Sequence, residues 1–255
     1  MKFKKETFAN RNGYLLGGRL DLPTATAPAA YALFAHCFTC TKESKAAAYI
    51  SRSLTAENIA VFRFDFTGLG ESSGEFADTT FSSNVEDLLA AADFLQDTYE
   101  GPRVLIGHSL GGAAVLRAAA GIDSARAVVT IGAPFNPGHV LRHIRDHRAE
   151  IESRGSAEIA IEGRPFRIKK EFLDDLDQTL TTGVVRDLNR ALLVMHAPRD
   201  ATVGIENAAA IFKEARHPKS FVSLDDADHL LSRPEDARYA GALIAAWVER
   251  YIRKA

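Results

Sequence analysis

The segment that most restricts what this chain can become is Val104-Leu105-Ile106-Gly107-His108-Ser109-Leu110-Gly111-Gly112, which runs straight into Ala113-Ala114-Val115-Leu116. An apolar, β-rich run passes through a G-x-S-x-G turn into helix formers. Such a turn is sharp and strained, so the positions two residues either side of the Ser must be small for strand and helix to pack. Gly107 and Gly111 meet that demand. The turn places Ser109 at a helix N-terminus, where backbone N–H groups and the helix dipole favour an anion forming beside it. A Gly-rich turn of purely structural use is the competing reading, and the strand before and helix after weigh against it.

The rest of the chain supplies the matching pattern. Apolar runs at 3–8, 14–22, 31–36, 59–65, 103–107, 127–132, 191–196 and 219–224 read as eight strands, the first two flanking Asn12-Gly13 as a hairpin. Between them, Val85, Leu88, Leu89, Ala92 and Leu95 recur at helical spacing, as do Ala240, Ile244, Trp247 and Tyr251. Further helices are expected at 43–57, 110–120 and 204–215. Strands alternating with helices give an α/β fold with a mostly parallel, eight-stranded sheet in one domain spanning 1–255. The interval 135–186 breaks the rhythm: over 139–175, 16 of 37 residues are charged, against 25% for the chain, so it reads as an insertion with a solvent-rich face. Val140, Leu141, Ile144 and Ile151 suggest a helix there, and the alternation around Glu162-Gly163 suggests a hairpin.

A Ser hydroxyl attacks only when a base takes its proton and a carboxylate orients that base, and after this kind of turn the chain order is Ser, acid, His. Asp200 follows the run ALLVMHA, and His229 follows SFVSL through the loop DDAD. Both sit where an open α/β sheet builds its site, at strand C-termini. Asp225, Asp226 and Asp228 compete as the acid, but their closeness to His229 suits them to shaping its loop. His36, His108 and His196 lie in or beside strands and lack the order and loop position of His229. The loop after the third strand, His36-Cys37-Phe38-Thr39-Cys40-Thr41-Lys42, is the place for a second oxyanion donor. The Phe38 amide would then work with that of Leu110, the residue after Ser109, while His36, Cys37 and His108 are candidates for lining the pocket.

With this order and loop in place, the chain resembles the α/β-hydrolase superfamily over essentially its whole length. Residues 36–42 look like the H-G-F-T-G-x-K loop of feruloyl and cinnamoyl esterases, and Phe64-Asp65-Phe66-Thr67-Gly68-Leu69-Gly70-Glu71-Ser72-Ser73-Gly74 is similar to their F-D-F-N-G-H-G-x-S-D-G turn. Those enzymes carry a helix-and-hairpin cap where 135–186 lies. Here Cys37 and Cys40 stand in place of two glycines, and Leu110 in place of a commoner Gln. The H-C-F-T-C form, with FDFTGLG and RHPKSFVSLDDADHLLSR, looks closer still to the hydrolase half of bacterial proteins that fuse an α/β hydrolase to an OsmC-like domain, so the chain is either a standalone relative or part of such a fusion. The resemblance implies a serine esterase working through an acyl-enzyme on the triad Ser109, His229 and Asp200 with no cofactor, and a cap able to bury only narrow apolar stripes predicts short acyl or compact aryl esters. A thioesterase or peptidase would use the same triad.

Other signals carry less. His139, His143 and His147 are spaced four apart, but Ile144 stands where a zincin would need its Glu, so a solvated, Arg-flanked face is expected there rather than a metal site. Cys37-x-x-Cys40 between strand and helix also fits a thioredoxin-type dithiol, a rival function of another class. Against it, the loop is already explained by oxyanion chemistry, and the cysteines are expected to be small packing side chains in a reducing compartment. A net charge of −2 gives no basic footprint for nucleic acid or an anionic membrane. The apolar runs are far short of the roughly 20 residues of a membrane span, and the start MKFKKETFANRNG lacks a signal peptide's apolar core. These point to a cytoplasmic protein acting on a small-molecule ester; oligomeric state leaves no mark in the sequence.

Overall fold

The computed structural model describes residues 2–24, 27–161, 163–179 and 183–253, with the backbone alone for 141–143 and 145. Among the described residues ten strands form: β1 (Lys2–Ala9), β2 (Leu15–Leu22), β3 (Ala30–Ala35), β4 (Ile59–Phe64), β5 (Val104–His108), β6 (Ala127–Ile131), β7 (Ser156–Ile161), β8 (Arg164–Lys169), β9 (Ala191–His196) and β10 (Lys219–Ser223). Eight make one sheet in the order β1-β2-β4-β3-β5-β6-β9-β10. β1 and β2 are antiparallel, β2 is antiparallel to β4, and every later pairing is parallel. These are the eight strands expected from the apolar runs, with ends shifted by a residue or two. The first connection is longer than an Asn-Gly turn. It spans 10–14, held by Asn10, whose side-chain oxygen accepts the amides of Asn12 and Tyr14.

Central strands β3, β4, β5, β6 and β9 are buried along their whole length, as strands covered on both faces must be. One face packs against α1 (Lys45–Ala56) and α7 (Pro234–Ile252), through Ile50, Leu54, Ile244 and Val248. The other packs against α2 (Phe81–Thr98), α3 (Leu110–Ala118) and α6 (Glu206–Glu214), through Leu88, Leu95, Val115, Leu116 and Ile211. Each such side chain contributes roughly 1.5–3 kcal/mol of hydrophobic stabilisation. Thr80 and Ser83 cap the start of α2 reciprocally.

The insertion between β6 and β9 holds α4 (Arg148–Arg154), the β7–β8 hairpin and α5 (Lys170–Gln178). The helix expected over 140–151 is instead a run of 3-10 turns at Pro137–His147 followed by α4. The 3-10 run still buries Val140 and Ile144, and α4 buries Ile151. The side chains of Leu141 and His143, and the whole of Glu162, lie outside the described residues. α5, absent from the sequence reading, buries Phe172, Leu173 and Leu176 under the main core. Among the described residues no helix is long and apolar enough to cross a membrane.

Candidate active site

Ser109 sits between β5 and α3 with φ 55°, a conformation that a non-Gly residue adopts at a cost of order 1–3 kcal/mol. Its neighbours explain why the turn can form. A Cβ on Gly107 would lie 2.2 Å from the Gly111 carbonyl oxygen, and one on Gly111 would lie 2.4 Å from that of His36. The Ser109 amide donates to the Ile131 carbonyl at 2.8 Å, tying the elbow to β6.

The structure brings Ser109, His229 and Asp200 together across 120 residues of chain. Ser109 Oγ lies 2.9 Å from His229 Nε2, and His229 Nδ1 lies 2.7 Å from Asp200 Oδ2. The other Asp200 oxygen accepts the amides of Thr202 at 2.8 Å and Val203 at 2.9 Å. Burial pushes the Asp200 carboxyl up, but the His229 hydrogen bond and the Val203 and Thr202 amides outweigh it and hold it below the usual aspartate value. An ionised Asp200 selects the tautomer with Nδ1 protonated, leaving Nε2 to accept the Ser109 proton. The rival acids face elsewhere: Asp225 accepts the Ser223 hydroxyl, Asp228 accepts the Ser232 amide at 2.8 Å, and Asp226 uses its carbonyl to hold Arg233.

The loop after β3 lies against the start of α3. Among the described residues, neither the Phe38 nor the Leu110 amide donates a turn or loop hydrogen bond to the backbone. Behind the loop, Asp65 accepts both the Lys42 amide at 2.7 Å and the Lys42 ammonium at 2.5 Å, and Arg63 donates to the Lys42 carbonyl. Burial opposes the Lys42 charge, but Asp65 and Glu71 outweigh it and raise its pKa. In front, the Phe38 ring stacks on Phe172 of α5 at 5.2 Å and tilts against Phe76 at 5.5 Å, and Arg164 of β8 donates to the Thr39 carbonyl.

A cavity of about 240 Å³ opens beside Ser109. Its walls come from the β3 loop (Cys37, Phe38, Thr39), the elbow (Ser109, Leu110), the insertion (His139, Val140, Ala160, Ile161) and the loops of Asp200 and His229 (Thr202, Val203, Leu230). Cys37 therefore lines it, whereas His36 and His108 do not. His36 is buried behind the loop, donating from Nδ1 to the Cys37 carbonyl at 2.7 Å. His108 donates from Nε2 to the His229 carbonyl at 2.7 Å, and burial, with the adjacent His229, lowers its pKa to about 4.

Beyond His36 and His108, two more expectations need correction. His139 is not on a solvated face: its ring bonds the Thr202 carbonyl at 2.8 Å and forms cavity wall, because the tight turns at 137–147 bring it to the loop of Asp200. Cys37 and Cys40 are not separate packing side chains but a disulfide, their Cα atoms 5.2 Å apart, since the Cys40 amide folds back on the Cys37 carbonyl at 3.1 Å. No spacing in the sequence marks His139, Thr202, Ala160 or Ile161 as wall residues.

Comparison with known proteins agrees with this architecture. The profile of the alpha/beta hydrolase family matches residues 32–253. This chain belongs to the alpha/beta hydrolase family. The esterase domain of a Rhodothermus marinus protein is 52% identical and superposes with a TM-score of 0.81, covering 99% of this chain and 100% of that one. Est1E from Butyrivibrio proteoclasticus, solved with ferulic acid bound, shares the fold at 20% identity and a TM-score of 0.80, over 98% of this chain and 100% of that one. Among curated proteins, the mitochondrial palmitoyl-protein thioesterase ABHD10 of Mus musculus is 43% identical over 60 residues, 24% of this chain and 19% of that protein. Its Homo sapiens counterpart is 28% identical over 156 residues, 56% of this chain and 48% of that protein. The chain thus spans from about a fifth to about half the length of these curated relatives. Family, fold and esterase neighbours together support a hydrolase.

Proposed function

We propose that this protein is a serine hydrolase of carboxylic esters with short acyl or compact aryl groups. Ser109 Oγ attacks the ester carbonyl as His229 Nε2 removes its proton, and the Phe38 and Leu110 amides receive the oxyanion. His229 then protonates the leaving alkoxide, Asp200 balances the imidazolium, and water repeats the sequence on the acyl-enzyme. The observation that carries this reading is the unbroken Ser109–His229–Asp200 hydrogen-bond chain opening on the cavity. Residues 135–186 act as a cap, contributing His139, Val140, Ala160 and Ile161 to the wall. At about 240 Å³ the cavity is smaller than the roughly 300–1,000 Å³ of drug-sized ligand sites, which favours compact acyl groups. The reaction as written uses no cofactor, and the substrate is a free small molecule.

The test is hydrolysis of p-nitrophenyl acetate and butyrate by the wild type and by Ser109→Ala. The variant should lose roughly 10⁴-fold or more in kcat while keeping its fold, because triad residues act as a unit. A folded variant with near wild-type rates would sink the assignment. The ABHD10 match favours a second reading, in which the same attack falls on a thioester. Rates on phenyl acetate and S-phenyl thioacetate, measured side by side, decide between them.

A further inference from the structure

We propose that Cys37–Cys40 is a thiol–disulfide exchange site whose state sets the hydrolytic rate through the Phe38 amide. The proposal rests on the hydrolase reading above for its consequence, but on separate observations for the site. The disulfide closes a ring of four residues, and the two enclosed residues are Phe38 and Thr39. The amide assigned to the oxyanion therefore lies inside the covalent ring. Cys37 is 6% exposed and forms cavity wall beside Ser109, while Cys40 is half-buried and outside that wall, so Cys40 is the more exposed cysteine and the one assigned to the attack.

The Phe38 N–H makes no hydrogen bond of its own among the described residues, and its direction is set through the peptide plane it shares with the Cys37 carbonyl. The Cys37 carbonyl is fixed by the Cys40 amide and His36 Nδ1, the Thr39 carbonyl by Arg164, and the Phe38 ring by Phe76 and Phe172. None of these bonds the Phe38 N–H, and the disulfide alone ties both ends of its ring covalently. Movement here also reaches the elbow, because the His36 carbonyl packs against the Cα of Gly111 with no room for a methyl group between them.

The reductant is a dithiol. One of its thiolates attacks Cys40 Sγ, the S–S bond breaks, and Cys37 leaves as the thiolate with the electron pair. The second thiol of the reductant then displaces Cys40 from the mixed disulfide. Two electrons and two protons pass to the protein, and the dithiol departs as its own disulfide. Peptide-bond planarity and the surviving contacts keep the loop roughly in place, so reduction loosens the donor rather than removing it. Outright loss of such a donor costs about 10²–10³-fold in rate. Loosening should cost about tenfold in kcat with KM changed less than about twofold, since the oxyanion exists only after attack.

The test compares wild type before and after reduction by dithiothreitol, then after reoxidation by diamide, each reagent removed before assay. Thiol titration, p-nitrophenyl acetate kinetics and hydrogen exchange across 36–42 are read on each sample. The expected result is two thiols appearing on reduction, kcat falling about tenfold, faster exchange at Phe38 and Thr39, and all three reversing with diamide. The Cys37→Ser/Cys40→Ser variant, left without cysteine, should not respond to either reagent. Two thiols that diamide cannot join, an unchanged rate, or an equal response of that variant would each overturn the proposal. If no ester is turned over in any state, the hydrolase reading fails, and the exchange measurement still decides: unchanged exchange at Phe38 and Thr39 overturns the coupling as well.

Discussion

Asp200 bonds through both carboxylate oxygens, one to His229 and one to the Thr202 and Val203 amides, so it fixes ring and loop at once. Replacing it by Asn keeps the shape but takes away the charge that holds His229 in its productive tautomer. Asp200→Asn should lower kcat on p-nitrophenyl acetate by roughly 10⁴-fold, with circular dichroism unchanged. A folded Asp200→Asn enzyme of near-normal rate, or an equal loss in Asp228→Asn, would move the acid elsewhere. At Gly111 the argument is steric: the added carbon would fall 2.4 Å from the His36 carbonyl oxygen and 2.5 Å from that of Ala35, both backbone atoms that cannot swing away. Gly111→Ala should therefore cost about 1–3 kcal/mol in urea unfolding, and turnover should fall as the β3 loop is pushed from Ser109.

The insertion is the element whose role depends most on what lies beneath it. A two-stranded hairpin is marginal alone, and β7–β8 is braced by Phe166 on Phe76 at 4.9 Å and by Arg164 on the β3 loop. Its inner edge presents Ala160 and Ile161 to the cavity. Wild type should hydrolyse C2–C4 p-nitrophenyl esters faster than C12, and a faster C12 reaction would contradict the compact-acyl reading. Ile161→Ala, which deletes wall volume at a half-buried position, should raise kcat/KM for C6–C8 relative to C2 by several-fold. An unchanged ratio would take Ile161 out of substrate selection.

Across the whole molecule, buried histidines make stability depend on pH. His108 and His36 are both held below the ordinary histidine value by burial, His108 at about 4. Between about 4 and 6.5 the unfolded chain binds protons that the folded chain refuses, so stability falls as pH falls through that window. For His108 the loss amounts to roughly 3 kcal/mol by pH 4, at about 1.36 kcal/mol per tenfold. Asp200, lowered in the folded state, stabilises above about pH 4 and adds its own loss below it. Thermal melts should therefore be flat from pH 8 to 7 and drop steadily from 6.5 to 4. His108→Asn should flatten that slope; an unaltered slope would place the acid sensitivity in other groups.

Short windows of sequence were enough for the eight-stranded sheet, the helices of both faces and the elbow at Ser109, because β-runs, helical periodicity and turn glycines act over a few residues. Chain order was enough to set Ser109, Asp200 and His229 at strand ends, since crossovers in a parallel sheet bring all C-termini to one edge. The rest needed the tertiary structure. His139 meets Thr202 across 63 residues and Arg164 meets Thr39 across 125, pairs governed by no spacing rule. His36 and His108 turned away from the cavity because each found a backbone carbonyl behind it. The helix expected over 140–151 is divided between 3-10 turns at Pro137–His147 and α4, because apolar residues spaced three or four apart bury one face in either kind of helix. Whether Cys37 and Cys40 stand apart or joined is a matter of how the β3 loop folds back on itself, which depends on the core, the elbow and the insertion pressing on it together.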